Sequence, residues 1–349
     1  MAQVEGQGMW TVKRCLDWTR DYLSGKGDDK ARLAAEWLLC AATGLSRIEL
    51  YMNYDRPLSQ GELDLMHRSV VRRAKGEPLQ YIAGRTAFRF IDVECAPGVL
   101  IPRPETEILV DEVLSFIDGE CTVEREVAAE PDHAVGDGEP EAPAASAAEG
   151  KGETAEEDGP APDAPPTRVE RVSAARVLEV GCGTGCIALS VARERPGTRV
   201  VATDISPAAV ALAVRNRDAL GLQAEVDVRE GDLVSPVLPD ERGTFDVLVS
   251  NPPYIPSDVM ETLPAEVARF EPALALDGGA DGLDVFRRLV DAAPYMLRAG
   301  GLLACELHET TLGAAVQVCL AAGMEDVRVV EDLAQRPRVV CARVRRLPA

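Results

Sequence analysis

The sequence predicts an α/β fold, a mostly parallel sheet covered by helices, with a small helical domain ahead of it. Three observations carry this. From Ala175 onward, short apolar runs alternate with amphipathic stretches, the pattern of strands joined by helical crossovers. The first of those runs opens directly onto a glycine-rich turn, Gly181 to Gly185. Residues 1 to about 80 show helical periodicity and helix-start signals instead.

Length and composition agree. A chain of 349 residues suggests two domains, and an apolar fraction of 46% is ordinary for a globular protein. The net charge of −21 argues against broad binding to nucleic acid. The nine cysteines form no CxxC pair and share no metal-ligand spacing with the three histidines, so they read as reduced core residues of a cytoplasmic protein, with no metal expected. The N-terminus, MAQVEGQGMW, has neither the basic nor the apolar region of a secretory signal. No stretch approaches the roughly 20 apolar residues of a membrane span.

In the first 80 residues, RLAAEWLLCAATG (Arg32–Gly44) places apolar residues at helical spacing and ends on glycine. In SQGELDLMHRSVVRRAKGEP, Ser59 and Glu62 form a capping box, and Gly76 and Pro78 stop the helix. Residues 81–102 read as a hairpin-like connector built from the strand-like runs QYIAG, TAFRFIDVEC and GVLIP. A helix follows, PRPETEILVDEVLSFI, with prolines at its start and carboxylates in its first turn.

From about 118 to 172 large apolar residues almost vanish. Fifteen acidic and three basic residues fall between Gly119 and Glu170, so this segment carries more than half of the net charge and the remainder is near −9. Such composition is expected to be disordered and reads as an acidic insertion. Beyond it, ARVLEVG, RVVATDIS, AEVDVREGD, FDVLVS and LLACELH read as strands. SPAAVALAVRNRDALG, DGLDVFRRLVDAAPYMLRAGG and TTLGAAVQVCLAAGM read as helices. DVRVVEDL and RPRVVCARVR are consecutive strands with no helix between, so one must run antiparallel.

The candidate chemistry lies at strand ends. Gly181-Cys182-Gly183-Thr184-Gly185 permits a tight turn and close approach of a ligand. Its spacing departs from the GxGxxG of dinucleotide sites. Glu179, two residues earlier, suits a cationic ligand better than a phosphate. Asp204 ends the next strand, where a carboxylate accepts both ribose hydroxyls of a nucleoside. Asp232 and Leu233 end the third, where an acid meets an adenine amino group and a leucine its face. Together they describe an adenosine-type cofactor with a cationic tail: S-adenosylmethionine. A structural turn with capping acids is the plain alternative.

The fourth strand stops at Asn251-Pro252-Pro253-Tyr254, and two prolines forbid its continuation. The Asn251 side-chain oxygen and the Pro252 carbonyl are two acceptors suited to one planar NH2 group, with Tyr254 over its face. Anchoring both N–H bonds aims the nitrogen lone pair at a methyl donor. A diproline turn capped by asparagine is the structural alternative.

At these residues the chain resembles the release-factor glutamine methyltransferases, the PrmC/HemK family. The resemblance runs through GEPLQYIAG, GVLIPRPETEILV, VLEVGCGTGCIALS, NPPYIP, RFEPALALDGGADGLDVFRRL and RPRVVCARV. NPPY alone is shared with adenine-N6 and guanine-N2 nucleic-acid methyltransferases; IPRPETE and RFEP make the match sharper. The resemblance implies a Rossmann-like class I S-adenosylmethionine-dependent methyltransferase fold with a mostly parallel seven-stranded sheet, spanning 103–349. It implies methyl transfer to the side-chain amide nitrogen (N5) of the glutamine in the Gly-Gly-Gln motif of peptide-chain release factors, with residues 1–80 docking that substrate. Family cofactor contacts map onto Gly181 to Gly185, Asp204, Leu233 and Asn251, and substrate contacts onto Asn251, Pro252, Pro253 and Tyr254. Asn251, Pro252 and Tyr254 are the expected catalytic set. The family often has an aromatic residue where Leu233 stands, so weaker adenine stacking is expected. The insertion is not a usual feature, and Arg103 and Glu105 carry no derivable role. A monomer without membrane or direct nucleic-acid partner is expected. A nucleic-acid amine methyltransferase and a non-catalytic adaptor for the release factor or ribosome are the competing readings.

Overall fold

A computed structural model describes residues 9–128 and 167–345. Five helices open the chain: α1 (Val12–Ser24), α2 (Ala31–Thr43), α3 (Arg47–Met52), α4 (Gln60–Arg73) and α5 (Leu79–Ala83). Ser46 and Ser59 each cap a helix and complete a reciprocal box with Glu49 and Glu62. Gly44 ends α2 in the left-handed conformation. Leu23, Leu38, Leu39, Leu50, Met66 and Val70 form their buried core. QYIAG, expected as a strand, is α5. Its last residue, Gly84, takes a left-handed cap, and the Tyr81 hydroxyl donates to the Val99 carbonyl at 2.7 Å. Tertiary packing overrides the β-preference of tyrosine and isoleucine here. A short antiparallel hairpin follows, β1 (Arg85–Phe88) with β2 (Ile91–Glu94), while GVLIP adds no strand.

Helix α6 (Thr106–Glu120) reaches past the expected start of the insertion. Val123–Val172 forms a separate unit. Strands β3 (Thr122–Ala128) and β4 (Thr167–Ser173) pair with each other, so the expectation of disorder over 118–172 is corrected at both margins. TVEREVA and TRVERVS alternate β-branched with charged residues, and that alternation outweighs the acidic composition. The middle of the insertion lies outside the described residues.

The remaining elements are β5 (Arg176–Val180), α7 (Cys186–Glu194), β6 (Arg199–Asp204), α8 (Pro207–Ala219), β7 (Val226–Glu230), β8 (Phe245–Ser250), α9 (Ala265–Phe270), α10 (Asp284–Met296), β9 (Leu297–Glu306), α11 (Leu312–Ala321), β10 (Glu325–Glu331) and β11 (Pro337–Arg343). The strands form one seven-stranded sheet in the order β10-β11-β9-β8-β5-β6-β7. Pairs among β5, β6, β7, β8 and β9 are parallel, and β11 is antiparallel to both neighbours. LRAGG, expected at the end of a helix, begins β9.

Alternating side chains divide the core in two. Val177, Val247, Val249, Leu302 and Ala304 face one side, against α6 and α7. Leu178, Val180, Leu248, Leu303 and Cys305 face the other, against α10 and α11. Both faces of the central strands are therefore covered, which explains their nearly unbroken apolar runs. From β5 the order proceeds to β6 on one side and β8 on the other. The carboxyl ends of β5 and β8 therefore flank the crevice where open α/β sheets bind ligands. No helix among the described residues is long and apolar enough to cross a membrane.

Candidate active site

A cavity of about 590 Å³ opens at that crevice. Its wall includes Gly181, Cys182, Gly183, Thr184, Asp204, Asp232, Leu233, Asn251, Pro252 and Pro253, so residues expected separately to hold cofactor and substrate share one space. Gly181, Gly183 and Gly185 have φ of 73°, 55° and 81°, a region that penalises any residue with a Cβ. Gly185 stands behind the wall: a Cβ there would lie 3.2 Å from the Ala213 Cβ.

Glu179 lines the same cavity and is 1% exposed. Its Oε2 accepts from the Ala188 amide at 2.9 Å, while Oε1 has no hydrogen-bond partner. Burial pushes its carboxyl up to about 8. A buried carboxyl with an open oxygen beside a cavity suits a ligand cation. Asp204 accepts from the Gly183 amide at 2.8 Å and the Ser206 amide at 2.9 Å, which fixes its carboxylate at the end of β6. Burial raises its pKa. Each of its oxygens keeps a further lone pair for a hydroxyl donor. The donor set fits S-adenosylmethionine: an acid for an ammonium group, an acid for a diol, and a glycine turn that admits close approach.

Asp232 Oδ2 pairs with Arg288 Nη2 of α10 at 2.5 Å, and both residues line the cavity. Leu233 holds a left-handed φ of 50°, and its carbonyl accepts from the Thr203 hydroxyl at 2.8 Å.

The turn after β8 is anchored on both sides. Ser250 Oγ donates to the Val180 carbonyl at 2.7 Å, tying β8 to β5. Beyond the prolines, the Ile255 amide donates to the Leu276 carbonyl at 2.9 Å and the Gly278 amide to the Ile255 carbonyl at 2.8 Å. A Cβ on Gly278 would lie 2.7 Å from the Pro253 oxygen, and one on Gly282 (φ 76°) 2.3 Å from the Tyr254 oxygen. The segment Asp277 to Gly282 is glycine-rich because it is pressed against the NPPY backbone. Asn251 Nδ2 donates to Thr106 Oγ1, at the start of α6, at 3.2 Å. Tyr254 packs with the second core face, and its ring lies 6.4 Å from that of His308.

Several residues around the site carry no local sequence signal. Glu306, at the end of β9, is 3% exposed, and its Oε2 has no hydrogen-bond partner. Arg103, which also lines the cavity, pairs with the buried Glu271. Asn216 of α8 donates to the Thr184 carbonyl at 2.9 Å and accepts from the Glu94 amide at 2.7 Å, joining the glycine turn to the hairpin.

This sheet order, with a glycine turn on its first strand and an acid ending its second, defines a class I methyltransferase fold. Residues 14–84 match the PrmC N-terminal domain, and residues 167–267 the methyltransferase small domain. A release factor glutamine methyltransferase from Geobacter sulfurreducens is 42% identical over 309 residues, covering 87% of this chain and 88% of the relative. Its counterpart from Chlorobaculum tepidum is 36% identical and covers 93% and 94%. A solved protein-(glutamine-N5) methyltransferase from Alicyclobacillus acidocaldarius spans 72% of this chain and 99% of its own, at 23% identity and a TM-score of 0.35, a likeness too loose to bear on the assignment. The chain belongs to the release factor glutamine methyltransferase family.

Proposed function

We propose that this chain transfers a methyl group to the side-chain amide nitrogen (N5) of the glutamine in the Gly-Gly-Gln motif of peptide-chain release factors, acting as a monomer in the cytoplasm. The observation that carries the reading is the meeting of Asn251 and Pro252 with the glycine turn and Glu179 around a single cavity. S-adenosylmethionine, when bound, supplies a methyl group on a sulfonium.

The chain does the rest by positioning. Glu179 Oε1 would take the cofactor ammonium, Asp204 the ribose hydroxyls, and Leu233 one face of the adenine. Leu233 lacks the stacking surface of an aromatic ring, so Asp204 and Glu179 carry more of the affinity. The glutamine NH2 donates one hydrogen to Asn251 Oδ1 and the other to the Pro252 carbonyl. An amide nitrogen is a poor nucleophile because its lone pair is delocalised into the carbonyl. Two fixed acceptors hold both N–H bonds, favour release of that lone pair and direct it at the methyl carbon. With the cofactor bound, the methyl would pass from its sulfonium to that nitrogen, leaving a neutral thioether, and the extra proton on nitrogen would leave to solvent. No strong base is required before attack. Helices α1 to α5 dock the release factor, and Arg73 of α4 reaches Asp28 at 2.7 Å and Glu266 of α9 at 3.2 Å, holding that helical unit to the segment beside the NPPY turn.

Labelled S-adenosylmethionine offered with purified release factor, ribosomal RNA or DNA separates this reading from its competitors. Label on the glutamine of the release factor alone supports it. Label on either nucleic acid in place of the release factor, or none on any of the three, overturns it.

A further inference from the structure

S-adenosylmethionine carries three charges: a sulfonium, an α-ammonium and an α-carboxylate. Glu179 answers the ammonium. The carboxylate needs an answer of its own, because an anion taken out of water without a partner is costly. Among the described residues, two cationic side chains line the cavity, Arg103 and Arg288. Arg288 pairs with Asp232 beyond β7, beside Leu233 and so at the adenine end of the seating proposed above. Arg103 stands on the stretch that leads into α6.

That stretch is anchored at two points. Near its start, Val99 packs over the glycine turn: a Cβ on Gly183 would lie 3.9 Å from Val99 Cγ1. The Tyr81 hydroxyl holds the Val99 carbonyl in place at 2.7 Å. At its end, Thr106 Oγ1 lies 3.2 Å from Asn251 Nδ2. Arg103 falls between these anchors, one on the turn that follows Glu179 and the other on Asn251. The amino-acid tail of the cofactor occupies the same interval, since its ammonium belongs to Glu179 and its methyl group to Asn251.

The guanidinium is held by one arm. Its Nη2 lies 2.5 Å from Oε1 of Glu271, whose side chain is buried. Nε and Nη1 have no partner among the described residues, and the Arg103 side chain is 33% exposed at the cavity. Arginine stays charged and offers five N–H groups in a rigid fork, so a second carboxylate can approach an edge that the first leaves open. Fixing one arm beforehand also reduces the side-chain freedom lost when a ligand arrives.

We propose that Arg103, held by Glu271, binds the α-carboxylate of S-adenosylmethionine and so selects a cofactor with an intact amino-acid tail. This rests on the proposed seating with the ammonium at Glu179, and it is independent of which nitrogen receives the methyl.

Decarboxylated S-adenosylmethionine keeps the sulfonium and the ammonium and lacks only the carboxylate. Calorimetry of both compounds on the parental protein, R103Q and R103K is therefore the test. The parent should prefer S-adenosylmethionine by about tenfold to hundredfold, the scale of a charge-assisted hydrogen bond. R103Q should bind S-adenosylmethionine that much more weakly, keep its Kd for the decarboxylated compound within about threefold, and show no preference. R103K, which keeps the charge and loses the fork, should fall between. Where unpaired Glu271 keeps R103Q from folding, R103Q/E271Q replaces it, because no buried charge is then left alone. Equal binding of the two compounds by the parent overturns the proposal. So does a parental preference in R103Q, which would give the carboxylate to another group, and so does an equal weakening of both compounds, which would mark a role in shaping the wall. E179Q, measured alongside, tests the seating: parental affinity there would overturn that reading and this proposal with it.

Discussion

Arg103 Nη2 lies 2.5 Å from Glu271 Oε1, joining two segments 168 residues apart in the chain. Arg103 belongs to the stretch that enters α6, and Glu271 follows α9. The Glu271 side chain is 2% exposed and its Oε2 has no partner, so the carboxylate depends on this guanidinium. Arg103 itself lines the cavity beside the NPPY turn.

Removing Arg103 alone should therefore cost more than removing both charges. A fully buried pair broken on one side costs about 3–5 kcal/mol. Arg103 is 33% exposed, so R103A should fall below that range, at about 2 kcal/mol. The double variant R103A/E271Q should recover part of the loss, because no buried charge is left unpaired. Urea titrations of the two variants check this; a double variant no more stable than R103A contradicts it.

The glycines of the segment 277–282 give a sharper contrast. Gly282 and Gly221 have φ of 76° and 70°, but only at Gly282 would a Cβ meet backbone, the Tyr254 oxygen at 2.3 Å. The left-handed conformation costs a residue with a Cβ about 1–2 kcal/mol at either position. G282A should lose more stability than G221A and, by displacing the NPPY backbone, most of its turnover, while G221A keeps its rate. Thermal melts and methylation rates of the two variants measure this, and equal turnover would show that the contact does not shape the site.

Much of this architecture was legible in the sequence, and the exceptions have a common cause. Strands β5, β6 and β8 were readable because burial on both faces leaves continuous apolar runs, and the turn at Gly181 to Gly185 because left-handed backbone selects glycine. Asn251 and Pro252 were readable because two prolines end a core strand. Gly278 and Gly282 could have been found, since clustered glycines outside a hairpin signal close backbone approach. The partners were not readable. Asp232 meets Arg288, 56 residues away, and Asn251 meets Thr106, 145 residues away. Such contacts are set by how elements pack, and nothing in the local pattern of either residue announces them. QYIAG misled for the opposite reason: its β-branched and aromatic residues follow strand preference, while five residues packed on a helical core form a turn of helix.

Cofactor binding should release a proton. Burial holds the Glu179 carboxyl up to about 8, so near pH 7 it is largely protonated in the free enzyme. A bound ammonium stabilises the carboxylate and lowers that pKa, and the proton departs to buffer. The calorimetric enthalpy of S-adenosylmethionine binding at pH 7 should then vary with the ionisation enthalpy of the buffer, and in E179Q that dependence should vanish while affinity falls. The same shift has a cost in the free protein: a carboxyl raised on folding loses stability as the pH rises from its unfolded value, near 4.5, through about 8. E179Q should therefore melt higher than the parent at pH 9. Buffer-independent binding by the parent contradicts the assignment of Glu179.

The central claim is that Asn251 holds the nitrogen that receives the methyl. The most direct measurement is the turnover of N251A on intact release factor, with the product mapped to its residue by mass spectrometry and cofactor affinity measured in parallel. The account predicts a fall in kcat on the order of a hundredfold or more, with the Kd for S-adenosylmethionine changed far less. Methylation of the glutamine at the parental rate by N251A would mean that the NPPY turn is only a turn, and would contradict the mechanism.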